Sequence, residues 1–88
     1  MQAVQIIVKN PDVLHMRAAA RLVRLARGFH SQILMRVGSR VADARSIMGI
    51  MILSANLGAP LVIEASGDDE HEAIQAVQAY FDGTSQDV

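Results

Sequence analysis

His15 stands apart among the side chains able to do chemistry, because its neighbours suit it to one task. It precedes Met16-Arg17-Ala18-Ala19-Ala20, with an arginine two positions on and only small residues after it. The first four N–H groups of a helix have no partner within the helix and point back towards the cap. The helix dipole adds roughly half a positive charge at the same end, so such an end is a ready anion site. An imidazole nitrogen is a good nucleophile near neutral pH. Together these features suit a histidine that carries a phosphoryl group. Arg17 can pair with two phosphate oxygens at once, and Ala18, Ala19 and Ala20 leave the approach open to a partner protein. On position alone, a histidine at a helix start is an ordinary solvated side chain. The rest of the chain shifts that balance.

The elements that must hold His15 are legible in the periodicity. Val4, Ile6 and Val8 alternate with Gln5, Ile7 and Lys9, predicting a first strand that Asn10-Pro11-Asp12 breaks. The next pattern predicts a helix from about Met16 to Arg27, with Gly28 as its stop. Its inner face is Ala19, Leu22, Val23 and Ala26, at the spacing of a helix packed on a core. Opposite lie Arg17, Arg21 and Arg24, with Arg27 to one side. No acids interleave with these cations to satisfy them at i, i+4, so the stripe is a candidate docking face.

Two short strands follow, Ile33 to Val37 and Arg40 to Asp43, joined by the tight hairpin signature Gly38-Ser39. Arg45 to Leu53 reads as a short, marginal helix capped by Ser46 and weakened by Gly49. Asn56 to Pro60 reads as a loop. The nearly continuous apolar run Leu61 to Ala65 predicts a strand in the middle of the sheet. Gly67-Asp68 turns the chain, and Asp69-Glu70-His71-Glu72 resembles a capping box opening the last helix. Ala73, Ile74, Val77, Tyr80 and Phe81 form that helix's inner stripe, Gly83 is its expected end, and residues 84–88 read as a tail. The expected order is β-α-β-β-α-β-α, an α+β domain over residues 1–83 with one sheet covered on one face by three helices.

Composition excludes several classes of function. Eighty-eight residues make one domain with one core. Three aromatics among 51% apolar residues make that core aliphatic. No run approaches the ~20 apolar residues of a membrane span, and no signal-peptide pattern opens the chain. Without cysteine there is neither a disulfide framework nor a thiolate metal site. A cytoplasmic protein is the expectation. The net charge of −1 argues against nucleic-acid binding, and the strands lack stacking aromatics. Charge is unevenly placed, however: seven of eight cations lie between Lys9 and Arg40, while the acids gather from Glu64 onward. That gives a basic side suited to an acidic protein partner. His30 and His71 read as surface residues without acids at ligand spacing, so no metal site is expected.

Two motifs make the chain resemble HPr, the histidine phosphocarrier family of the bacterial phosphoenolpyruvate:sugar phosphotransferase system. One is Leu14-His15-x-Arg17-x-Ala19, similar to the family's phosphorylation-site motif. The other is Ser46-Ile47-Met48-Gly49-Ile50-Met51, similar to its regulatory serine site. Finding both, with the same element order around them, is specific. The resemblance implies an open-faced β-sandwich of four antiparallel strands under three helices. It implies that His15 accepts a phosphoryl group on Nδ1 from phosphorylated enzyme I and passes it to enzyme IIA domains. Arg17 would stabilise that group, and Ser46 would be a phosphoserine served by HPr kinase/phosphorylase. Arg21, Arg24, Arg27, Ile47, Met48 and Met51 would form the docking surface. It implies a monomeric carrier without turnover or cofactor of its own.

Two positions depart from the family. Members commonly have glycine where this chain has Val13 and proline where it has Ala18. Val13 disfavours positive φ, and Ala18 lacks the fixed φ that proline offers in a first turn. Both are expected to tune His15 without abolishing its role. The alternative is a regulatory module, either Ser46-dependent or of the nitrogen-related branch, in which no sugar moves.

Overall fold

The computed structural model describes residues 1–8, 15–55 and 60–86. The turn expected at Asn10-Pro11-Asp12, together with Lys9, Val13 and Leu14, lies outside them, as do the loop residues 56–59 and the last two positions. Seven elements follow in the expected order: β1 (Gln2–Ile6), α1 (Met16–Ala26), β2 (Gln32–Val37), β3 (Arg40–Asp43), α2 (Ile47–Ser54), β4 (Leu61–Ser66) and α3 (Glu70–Gln86). The strands form one antiparallel sheet in the order β1-β4-β2-β3. The three helices bury their stripes against one face, giving an open-faced α+β sandwich. Among the described residues no helix is long and apolar enough to cross a membrane.

Alternation explains which side of each strand is covered. Ile33, Met35 and Val37 of β2 and Leu61, Ile63 and Ala65 of β4 face the helices and are buried. Leu34, Arg36, Val62 and Glu64 take the other face, where Arg36 Nη2 donates to Glu64 Oε1 at 3.1 Å. β4 is central, as its apolar run predicts. The β2–β3 hairpin closes through Gly38 and Ser39, with Val37 opposite Arg40. Gly38 has φ +59°, and no non-glycine residue among those described has a positive φ. That is the type II′ arrangement, which calls for glycine at the first central position.

The expected inner face of α1 is the observed one: Ala19, Leu22, Val23 and Ala26 are all buried. Its stop differs in mechanism. Gly28 does not take a left-handed cap; instead Gly28 and Phe29 donate to the carbonyls of Leu25 and Ala26, three residues back. The helix therefore ends by tightening, one of the ways terminal carbonyls are satisfied. α3 also departs from expectation, running through Gly83 to Gln86. One glycine costs a helix about 1 kcal/mol, and the buried Val77 and Phe81 anchor the preceding turns.

The expected capping box at the start of α3 is replaced by a longer-range contact. The Asp69 carbonyl does accept the first helical bond, from Ala73. Its carboxylate instead reaches the turn before β2, accepting from the backbone N–H groups of His30 (2.8 Å) and Ser31 (2.9 Å) and from the Ser31 hydroxyl. Glu70 accepts from the Gly67 N–H at 3.2 Å. Gly67 has φ +154°, and a Cβ there would lie 2.6 Å from Ser31 Oγ. The seam between the start of β2 and the start of α3 therefore requires a glycine facing a fully buried serine.

The Ser31 hydroxyl, aided by the His30 N–H, holds the Asp69 carboxyl down from 3.8 to about 2. A depressed carboxylate pKa contributes stability above the unfolded value and loses it as pH falls through the folded one. Thermal melts between about pH 5 and about pH 2 should therefore show an acid-sensitive loss of Tm that Asp69→Asn flattens. Ser31→Ala should cost about 1 kcal/mol at neutral pH, roughly 4–8 °C of Tm for a domain of this size.

Candidate functional site

His15 is the N-cap of α1, extended at φ −73° and ψ 169°, and its carbonyl accepts from the Ala19 N–H at 2.7 Å. Its side chain makes no cap hydrogen bond and is exposed. Ala18 is half-buried, Ala19 buried, and no acidic residue occupies the first turn. The imidazole is thus exposed at the positive end of a helix, with no carboxylate in that turn to compete for an anion. Arg17, two residues after His15, is exposed as well. His15 thus stands at the start of α1, where the periodicity places it.

The arginine stripe is also on the outside. Arg21, Arg24 and Arg27 are exposed on α1. Elsewhere Arg36 pairs with Glu64, and His30 Nδ1 lies 3.7 Å from Asp68 Oδ1. Positive charge therefore extends from Arg17 down the length of the helix.

Ser46 is the N-cap of α2, and its Oγ accepts from the Gly49 N–H at 3.0 Å. The serine fills the ordinary capping role expected of its position. α2 is apolar all round: Ile50 and Leu53 point into the core, while Ile47, Met48 and Ile52 are exposed, Met48 by 74%. Met51 is half-buried against the core. Met16, in the first turn of α1, joins Ile47, Met48, Met51 and Ile52 around an open groove of about 570 Å³. The fold thus brings the residue next to His15 against the outward face of α2, beside the Ser46 cap. Sequence analysis missed Met16 and Ile52. The signal for Ile52 was the one that singled out Met48, four residues earlier on the same side of a helix too short to bury both. An exposed methionine surface is adaptable, a property useful for binding more than one partner.

Two polar contacts join distant segments here. Arg45, the residue before Ser46, donates from Nη2 to the Phe29 carbonyl at 2.6 Å, and its N–H donates to Asp43 Oδ1. The Tyr80 hydroxyl on α3 donates to the Ala18 carbonyl at 2.8 Å. The aromatic predicted as part of an apolar stripe therefore also reaches the first turn of α1.

His30 and His71 are on the surface, as expected. His71 pairs with Gln75, but His30 is less isolated than its sequence neighbours suggest. Its Nδ1 lies 3.7 Å from Asp68 Oδ1, and His30, Asp68 and Asp69 each offer a ligand atom within 4.8 Å of the others. The fold creates this cluster between residues far apart in the chain. Both Asp69 oxygens are already engaged by His30 and Ser31, so the cluster serves the seam described above.

Comparison with known proteins identifies the family. Residues 3–82 match the family model for the HPr component of the phosphotransferase system, described as its phosphorylation site. The phosphocarrier protein HPr of Cupriavidus necator is 47% identical over 66 residues, covering 75% of this chain and 74% of that protein. HPr of Xylella fastidiosa strain 9a5c is 38% identical over 78 residues, covering 89% and 88%. The crystal structure of an HPr from Thermoanaerobacter tengcongensis superposes with a TM-score of 0.84 at 41% identity, covering 93% of this chain and 92% of that one. An exposed histidine capping the first helix, the open-faced sandwich that carries it and these matches agree: the chain belongs to the HPr family of phosphocarrier proteins of the phosphotransferase system.

Proposed function

We propose that His15 is the phosphoryl-carrying residue, loaded by phosphorylated enzyme I and unloaded onto enzyme IIA domains. The observation that carries this reading is the exposed imidazole at the N-terminus of α1, whose first turn holds no acidic residue. The Nδ1 lone pair attacks phosphorus as the bond to the donor breaks, and the donor leaves with that electron pair. The same step runs in reverse towards the next acceptor. Positioning and charge stabilisation carry most of such a transfer; first-turn N–H groups and Arg17 supply them here. The carrier has no turnover of its own, and it acts as a monomer in the cytoplasm.

Docking in this reading uses the groove of Met16, Ile47, Met48, Met51 and Ile52 together with Arg21, Arg24 and Arg27. An apolar centre flanked by cations fits an acidic partner with apolar residues at its middle. A second reading rests on Ser46. Its hydroxyl caps the helix that forms one wall of the groove, so a dianion there would be stabilised by α2 and would repel an acidic partner. In that reading HPr kinase/phosphorylase sets binding through Ser46, and the protein regulates with little or no role in sugar transport.

Incubation with phosphoenolpyruvate and enzyme I, followed by intact mass measurement, separates these readings. A single acid-labile phosphoryl group is expected on the wild type and none on His15→Ala. An unlabelled, folded wild type would sink the carrier reading and leave regulation through Ser46. Met48→Glu should leave Tm unchanged, because that side chain is largely in solvent. It should weaken enzyme I binding by roughly 1–2 kcal/mol, about tenfold, as read by calorimetric titration.

A further inference from the structure

We propose that the Tyr80 hydroxyl is a positioning group for His15, acting through the peptide unit between Ala18 and Ala19; this rests on the carrier reading above. The carbonyl of that peptide accepts from Tyr80 Oη at 2.8 Å. Its N–H is that of Ala19, which donates to the His15 carbonyl at 2.7 Å. One rigid amide plane thus links a side chain of α3 to the backbone of the reactive histidine. A carbonyl oxygen has two lone pairs, so the Ala18 oxygen can take the tyrosine while keeping its helical partner.

The N-cap side chain makes no capping bond, no acid complements the dipole, and His15, Met16 and Arg17 are all exposed. Ala18 is half-buried, and full burial in α1 begins with Ala19. The N–H groups of this turn keep a common aim at the cap only while its peptide planes stay fixed. Tyr80 offers a fixed point outside the helix. Its ring is half-buried and meets Phe81 edge-on at 5.1 Å, and Phe81 is in the core. Burial raises the phenol pKa, against a smaller opposing pull from Arg21, so the hydroxyl keeps its proton and remains a donor. Where proline would preset the backbone at position 18, this chain has alanine and a tether from the far helix.

Tyr80→Phe removes the tether and retains the ring. Three measurements on this variant test the proposal: amide hydrogen exchange by NMR, the hydrolytic lifetime of the His15 phosphoramidate, and transfer kinetics with enzyme I. Exchange at Ala19 should accelerate about fivefold while Leu25 and Ala26, at the other end of α1, keep their rates. The phosphoramidate should hydrolyse faster and kcat should fall by a similar factor, with KM unchanged. A purely structural role would lower Tm and raise exchange evenly along α1, and that result would overturn the proposal. So would unchanged exchange and lifetime, or a change in KM alone, which would mean that Tyr80 touches the partner. The exchange measurement needs no phosphorylation, so the tether stands or falls by it even in a protein that takes no phosphoryl group.

Discussion

Burial of four small and medium side chains on α1 fixes the orientation on which the site depends. Ala19, Leu22, Val23 and Ala26 must all face the sheet and its companion helices, and an α-helix has one rotational phase that permits this. Once that phase is set, Arg17, Arg21 and Arg24 are turned to solvent. The first turn then projects beyond the packed part of the helix, carrying His15 at its tip. No side chain of the core touches chemistry directly. The core decides only which way the helix points, and the exposed polar end follows from that.

α2 meets a different constraint with a different outcome. Eight residues, nearly all apolar, cannot be covered by one contact surface, and two of them, Ile50 and Leu53, take the core positions. Ile47, Met48 and Ile52 are left outside beside Met16. Exposed apolar area of this kind costs solubility and is rarely extensive on a monomeric protein unless something covers it. Its position next to a basic helix and a nucleophilic side chain gives the surface three chemistries within a small area.

Much of this was legible in the sequence because it is local. The stripe of α1, the Gly38-Ser39 hairpin, the Ser46 cap and the central placement of β4 all follow from periodicity or turn chemistry within a few residues. What could not be read shares one property: it joins polar groups far apart in the chain. Asp69 bonds Ser31 across 38 positions and Tyr80 bonds Ala18 across 62. Periodicity carries no trace of such pairs. Asp69 followed by Glu72 looked like a capping box because the local rule fits; a more distant serine, buried and in need of an acceptor, took the carboxylate instead. Gly83 misled for a related reason. Helix propensity is a weak local preference, and packing one turn earlier outweighed it.

The sheet order has a consequence for how the chain assembles. β1 is the first strand to be synthesised, yet among the described residues it pairs with β4 alone, with Ile6 opposite Leu61 and Gln2 opposite Ala65. It must wait for most of the chain before it has anything to pair with. β2 and β3, by contrast, close on a two-residue turn and can form as soon as they exist. Closure of long loops slows folding, so the hairpin is the natural nucleus and β1 the late arrival. A strand that docks last, at an edge, with three of its five residues exposed, still closes onto the end of the chain: the Met1 amino group lies 2.9 Å from the Glu70 carboxylate, so the first residue made is held by the last helix made.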